Sequence, residues 1–525
     1  MNKKELILTF DIGTQSARAL MINAKGDVVH KAQKIYDQPY FSKQPSWAEQ
    51  KPDFYWRCVC ETSRSLKAKA GVDWENVIGV TCTTIRDSCL CLDKERRPLR
   101  DVILWLDGRR LKTVKPLPAP AAVFLKIAGM TASVNLLRKA AACNWLAENE
   151  PEIWAKTDKF VFVSTWLTYK FCGRLVDSTA SVIGHIPFDV KNNAWMKSDD
   201  VRRVVFGVPD DKLFELANPC EVVGTITAKT AEETGVRQGL PFIAAGSDKG
   251  CETLGLSCLT PDAAALSFGT TATVQVTTRN YIEPLPHIPP YPAVAPGCFN
   301  PEVEIYRGYW LLSWFKREFA AKEVVEAQKL GVSAEKLLDE RLRDVPPGCD
   351  GLVMQPFWTP GVSMPFAKGA VIGFSDVHTR IHLYRAIIEG INFALMEGLR
   401  SIERRGGIKV QRLFVAGGGS QSDEVCRITA SMFGLTVCRI QTFEASSLGS
   451  AVAGFVSKGV FSSFEEGVAS MVHIKDEFLP DEDAHNVYES IYGRVFAKMF
   501  DKLSPLYQEL IDIGNRDLRA SRPRK

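Results

Sequence analysis

The sequence predicts an α/β protein built from two related domains, and three observations carry that expectation. Apolar runs of strand length repeatedly end in a carboxylate or in glycine and then pass into helical stretches, as at Asp248 and Gly417. Two such runs read as hairpins that echo one another: residues 6–22 contain Leu-Thr-Phe-Asp-Ile-Gly-Thr, and residues 263–276 contain Leu-Ser-Phe-Gly-Thr-Thr. The chain, at 525 residues, is also long enough for two full cores.

Charge narrows the partners. With 65 Lys and Arg against 61 Asp and Glu the net charge is +4, which argues against a nucleic-acid or membrane-surface partner. The basic cluster at residues 516–525 reads as a frayed terminus. No stretch has the pattern of a signal peptide or the length of a membrane span. The 14 cysteines contain no C-x-x-C, so a zinc site is not expected. Without an export signal they are expected as reduced thiols of a cytoplasmic protein, Cys58/Cys60 and Cys89/Cys91 each having the spacing of one strand face.

The first hairpin runs into Asp11, turns over Gly13, Thr14, Gln15 and Ser16, and returns through Arg18. Glycine at 13 would let successive N–H groups line a concavity for an anion. Asp11 could hold magnesium through water, while Thr14 and Ser16 add hydroxyls and Arg18 a cation. A phosphate cradle and an ordinary tight hairpin both satisfy these residues.

Further along, Trp47 and Glu49 precede a helix opened by Pro52; they fit a ligand rim or a buried Trp beside a capping carboxylate. A strand over 77–82 ends near Arg86 and Asp87, a donor and an acceptor suited to a polyol, or to a surface ion pair. Trp105, Asp107 and Arg109 repeat the theme after a strand at 103. Residues 177–189 are polar and turn-like and point to no chemistry. Asp248 ends the run 241–245 between glycines, where it could take a proton from a substrate hydroxyl or cap the next helix.

In the second half, the hairpin with Gly269 and Thr270 would give a second phosphate loop to a shared cleft. The proline-rich stretch 284–296 is expected as a surface excursion, with His287 solvated. A strand over 412–416, the turn Gly417, Gly418 and Gly419, and a helix over 423–433 closed by Gly434 make a nucleotide site. There Gln421 can bond a base or ribose. Glu444 opens a helix of small residues able to pack closely beside it.

These motifs together resemble the FGGY family of carbohydrate kinases nearly end to end. The most specific stretch is Gly369-x-Val371-x-Gly373-Phe374, followed by His382-Leu383 and by Ala386, Ile387, Ile388 and Glu389. The resemblance implies an actin-like ATPase (ribonuclease H-like) fold, with two related domains at 1–255 and 256–510 flanking a deep cleft and a flexible basic tail at 511–525. It implies ATP-dependent phosphorylation of a small sugar or polyol, with Asp248 as general base and MgATP in the cleft. Arg86, Asp87, Trp105, Asp107 and Asp248 would meet the sugar. Thr14, Gln15, Ser16, Arg18, Gly269 and Thr270 would hold phosphates, and Gly417, Gly418 and Gln421 the adenosine. Asp11 and Asp248 would face Mg2+.

Three departures bear on the substrate. Lys249 follows the base where relatives carry Asn or Gln, and a cation there would lower the carboxylate's pKa. Ser431-Met432 replaces an Ala-Asp pair, and the Arg86-Asp87 loop matches neither pentulose kinases nor glycerol kinase fully. A catalytically silent sugar or nucleotide sensor on the same fold is the competing expectation. An ATP-driven chaperone or filament protein fits less well, for lack of a peptide-binding domain. A homodimer stays open.

Overall fold

Two six-stranded mixed sheets organise the computed structural model, which describes residues 5–127, 130–359, 361, 364 and 366–516. The chain divides into two units. One takes Met1–Leu259, Pro290–Asn300 and Glu444–His473; the other takes Thr260–Pro289, Pro301–Phe443 and Ile474–Lys525. The division therefore differs from a single cut at residue 255, because two later segments return to the first unit.

The sheet of the first unit contains β1 (Leu6–Ile12), β2 (Ser16–Asn23), β3 (Val28–Ile35), β4 (Val77–Thr84), β5 (Val222–Thr225) and β6 (Pro241–Ile243). Their order is β5-β6-β4-β1-β2-β3. β1, β4 and β6 run parallel as neighbours, and the other pairings are antiparallel. β1 is buried at every position, as a parallel strand covered on both faces must be. Phe10 packs at 5.2 Å from Phe171 of helix Val163–Cys172, and Phe171 stacks at 4.7 Å on Phe242.

The second unit repeats the plan with β7 (Ala263–Phe268), β8 (Ala272–Val276), β9 (Glu302–Ile305), β10 (Arg412–Ala416), β11 (Thr436–Ile440) and β12 (Ile474–Phe478), in the order β9-β8-β7-β10-β11-β12. Here β7, β10 and β11 are the parallel trio. Both hairpins turn over three residues, each turn beginning Gly-Thr. The two sheets differ in the outer strand beside the parallel trio: β5 precedes its partner β6 in the first unit, whereas β12 follows its partner β11 in the second.

The family-like signature has structural reasons within the second unit. A Cβ on Gly369 would fall 2.0 Å from the Trp358 ring, and Gly373, at φ +99°, lies where a Cβ would meet the Gly351 carbonyl at 2.1 Å. His382 completes the cap of helix Arg380–Gly406, accepting the Thr379 N–H on Nδ1 at 3.2 Å while Thr379 accepts from the first turn. Glu389 is buried against Arg385 at 2.7 Å and Tyr488 at 2.8 Å.

Three local expectations change. Cys58 and Cys60 lie on helix Pro52–Ala70, whose opening proline outweighs their strand-like spacing; Cys89 and Cys91 do lie on a strand, Cys89–Leu92. The proline-rich excursion is not merely surface: Tyr291–Pro292 pairs with Phe299–Asn300, and Ala293, Val294 and Ala295 are buried in the first unit. Helix Ala497–Arg516 continues through residues 511–516, and the rest of the expected tail, 517–525, lies outside the described residues. Among the described residues no helix is long and apolar enough to cross a membrane.

Candidate active site

Three parallel neighbours, β6, β4 and β1, bring their C-terminal ends to one edge of the first sheet. Asp11 lies at the end of β1, Arg86 in the loop after β4, and Asp248 just beyond β6. Ligands of open α/β sheets gather at such an edge, and there these three side chains act on one another.

Asp248 opens helix Asp248–Gly255, but the cap is Ser247, whose Oγ accepts the Gly250 N–H at 3.2 Å. The carboxylate is therefore not consumed as a cap. Its Oδ1 accepts the Lys249 N–H at 2.8 Å, which fixes its orientation. Burial pushes the Asp248 carboxyl up, while Arg86 and Lys249 pull it down. The expected lowering by Lys249 is thus present but outweighed; Lys249 also pairs with Glu252 at 3.0 Å, whose charge raises Asp248 in turn.

Asp11 is pushed up to about 6, chiefly by burial, with the charges of Asp248 and Glu444 adding to it and Arg18 opposing. Arg18 donates to Asp11 at 3.1 Å and lies 3.5 Å from Glu444, which also pairs with Lys31. Sequence reading named Glu444 only as the start of a helix. The structure makes it the third carboxylate of this cluster, carried by helix Ala445–Ser457. That helix touches helix Asp248–Gly255 backbone to backbone, since a Cβ on Gly449 would lie 1.9 Å from the Cys251 carbonyl.

The first turn is held differently from the expectation. Gly13 does not use the left-handed region, and its N–H donates to Ser16 O at 3.0 Å inside the turn. Gln15 O accepts the Tyr36 N–H, and the Ser16 hydroxyl accepts from Gln33 at 3.3 Å. Thr14 Oγ1 accepts from Trp105 Nε1.

Arg86 stacks its guanidinium 4.8 Å over the Tyr291 ring, a neighbour that the proline-rich reading of that stretch concealed. Asp87 adopts φ +47° and engages both oxygens with His185: Oδ1 accepts its N–H at 2.9 Å, and Oδ2 meets ring Nδ1 at 2.6 Å. Asp87 in turn raises the His185 pKa against the effect of burial. No sequence pattern linked these two residues.

Asp107 is enclosed by protein donors: the Ala48 N–H at 2.6 Å and the Arg109 N–H and Nε, each at 2.8 Å. Arg109 also reaches Glu49 at 2.9 Å and lies 3.9 Å over Trp47. This network joins Trp47 and Glu49 to Asp107 and Arg109 through the Arg109 guanidinium.

In the second unit the corresponding strand ends carry Gly269 and Thr270 after β7 and Gly417, Gly418 and Gln421 after β10. Gly417 adopts φ +85° directly against Phe268 and Gly269, where a Cβ would lie 2.7 Å from the Phe268 carbonyl carbon. The two turns therefore abut. Helix Asp423–Phe433, capped by Ser422 and closed by Gly434 at φ +63°, follows as the sequence indicated.

Family models match most of the chain: the N-terminal domain of the FGGY family of carbohydrate kinases over residues 6–255 and its C-terminal domain over 264–457. The chain is 25% identical over 516 residues to the uncharacterized sugar kinase YgcE of Escherichia coli K12, covering 98% of this chain and 97% of that one. It is 24% identical over 520 residues to a xylulose kinase of Lactococcus lactis, covering 97% and 99%. The fold matches the crystal structures of a xylulose kinase from Rhodospirillum rubrum (TM-score 0.80, 24% identity, 96% and 100% covered) and a gluconate kinase from Lactobacillus acidophilus (0.81, 18%, 96% and 99%). The chain belongs to the FGGY family of carbohydrate kinases.

Proposed function

We propose that this kinase transfers the terminal phosphoryl group of ATP to a hydroxyl of a small sugar or polyol, with Asp248 as general base. The observation that carries the assignment is the electrostatic grouping of Asp248 with Arg86 and Asp11 at adjacent parallel strand ends. Asp248 takes the hydroxyl proton as the oxygen attacks phosphorus, and its raised pKa makes it a better acceptor than a solvated aspartate. Arg86, steadied on Tyr291, donates to the substrate's hydroxyls, and Trp105 forms a wall. Asp87 and Asp107 act through His185 and Arg109, because their oxygens are engaged by protein donors.

For the nucleotide, Thr14, Gln15 and Ser16 in the first unit and Gly269 and Thr270 in the second serve its phosphates, and Gly417, Gly418 and Gln421 its adenosine. Arg18 balances Asp11 and Glu444. Two mutually repelling carboxylates, Asp11 and Asp248, suit a divalent cation. Among the described residues no group of three or more His, Cys, Asp or Glu is arranged to hold a metal, so the remaining ligands would be water and phosphate oxygens. Magnesium bound there supplies charge neutralisation on the phosphates. Free thiols at all 14 cysteines support a cytoplasmic setting.

A panel of pentuloses, hexuloses, alditols, aldonates and glycerol, read by coupled ADP release, tests the assignment. Sugar-dependent release that Asp248→Ala abolishes supports it. Tight sugar binding with no turnover across the panel would make the protein a sensor instead.

A further inference from the structure

We propose that residues 177–185 are a positioning strap that holds the Asp248 loop and the Arg86–Asp87 loop in register, with Asp177 as its anchor; the catalytic consequence rests on the kinase reading above. Asp177 is 4% exposed and sits against the first turn of helix Val163–Cys172. One oxygen accepts from the hydroxyls of Ser164 and Thr165, the latter at 2.7 Å, and the other accepts the Ser178 N–H at 2.9 Å. A buried carboxylate so surrounded fixes the start of the segment.

From this anchor the strap reaches the base loop by three contacts. Ser178 Oγ donates to Ala245 O at 2.6 Å, and the Ser247 N–H donates to Ala180 O at 3.1 Å. Between them Gly246 lies so close that a Cβ would meet Ala180 Cβ at 3.2 Å and Val294 at 2.6 Å. The other end holds the polyol loop. The Asp87 N–H donates to Ile183 O at 3.0 Å, and Gly184, at φ +154°, lies under Asp87 where a Cβ would fall 2.4 Å from its carboxylate. His185 then engages both oxygens of Asp87.

A small cavity lies beside the anchor, lined by Cys82, Thr84, Ser164, Thr168, Ser178 and Ala245, among others. Ser178 and Ala245 both line it, so the hydrogen bond between them borders a void. Loss of the anchor would let both loops shift, and a displacement of about 1 Å at a reacting group can cost on the order of 10²-fold in rate.

Asp177→Ala, Asp177→Asn and Ser178→Ala separate positioning from mere stability. Expected for Asp177→Ala are a kcat lower by roughly 10–100-fold, a raised sugar KM, and a KM for MgATP within about twofold. Faster hydrogen exchange is expected at the Asp87 and Ser247 amides. Asp177→Asn keeps an oxygen for the two hydroxyls but turns an NH2 toward the Ser178 N–H, so it should recover only part of the rate, and Ser178→Ala should show the base-loop effect alone. Unchanged kinetics in Asp177→Ala and Ser178→Ala, or a lower rate with both amides exchanging as in wild type, would overturn the proposal. If Asp177→Ala does not fold, Ser178→Ala decides at the base-loop end: a wild-type kcat, or a lower kcat with the Ser247 amide exchanging as in wild type, would overturn the proposal. Exchange at these amides needs no substrate, so a wild type that turns over no sugar would sink the kinase reading and leave the strap to stand or fall by exchange.

Discussion

Trp105 Nε1 donates a 3.1 Å hydrogen bond to Thr14 Oγ1. It ties the loop after strand Val102–Ile103, expected on the sugar side, to the hairpin turn expected on the phosphate side. Trp105→Phe keeps an aromatic wall and loses the donor; Thr14→Val keeps the volume and loses the acceptor. If the bond couples the two ligands, a double-mutant cycle in kcat/KM will show an interaction energy of about 0.5–3 kcal/mol. Additive losses would leave the bond without a catalytic role.

Asp248→Asn should lower kcat by on the order of 10²–10⁴ while the sugar KM moves only a few-fold. The substitution preserves the shape and the Ser247 cap, so thermal unfolding should hardly change. A kcat loss matched by an equal rise in KM would point to binding and not to proton transfer.

The pH profile tests the electrostatics. As the proposed base Asp248 must be ionised to accept a proton, so kcat/KM should fall as pH drops through its folded-state pKa, which burial raises above 3.8. Lys249→Gln removes a cation that lowers this pKa and releases Glu252, which raises it; both effects move the acid limb to higher pH. Activity of Lys249→Gln should therefore approach wild type on the alkaline plateau and fall below it on the acid limb, with Lys249→Arg close to wild type on both. For stability, Asp11 has the sign of any carboxyl raised by burial. Its folded form holds a proton that the unfolded chain releases, so stability declines as pH rises from 3.8 to about 6 and levels off above that window.

How far the sequence led depended on where each signal resides. The echo between the hairpins was local, and it matches a shared parallel trio in each sheet. Asp248 and Gly417 were legible because strand, turn and helix follow one another there. Glu444 and His185 were not, because each joins its cluster through partners far off in the chain, Arg18 and Asp87. Tyr291 was hidden by prolines that exclude regular structure but not burial. Gly13 misled in the opposite way: its type suggested a left-handed turn, whereas its backbone is ordinary and its N–H stays within the hairpin.

Helix Ala445–Ser457 offers the last test, since two opposing effects meet at Gly449. Replacing a mid-helix glycine by alanine ordinarily stabilises a protein by about 0.5–1 kcal/mol. At Gly449 the added methyl would lie 1.9 Å from the Cys251 carbonyl and 2.7 Å from the Gly255 N, both backbone atoms that cannot rotate away. Overpacking of this kind costs about 1–3 kcal/mol, so the clash should win and Gly449→Ala should unfold at lower urea concentration. Because the displaced helix carries Asp248 in its first turn, kcat should fall as well. Gly493→Ala, in the π-helical turn Tyr492–Phe496 where a Cβ meets nothing within 4 Å, shows the helix term without a clash and should raise the urea midpoint slightly while leaving kcat near wild type. A Gly449→Ala protein at least as stable and as active as that control would mean that the two helices are not held at backbone contact.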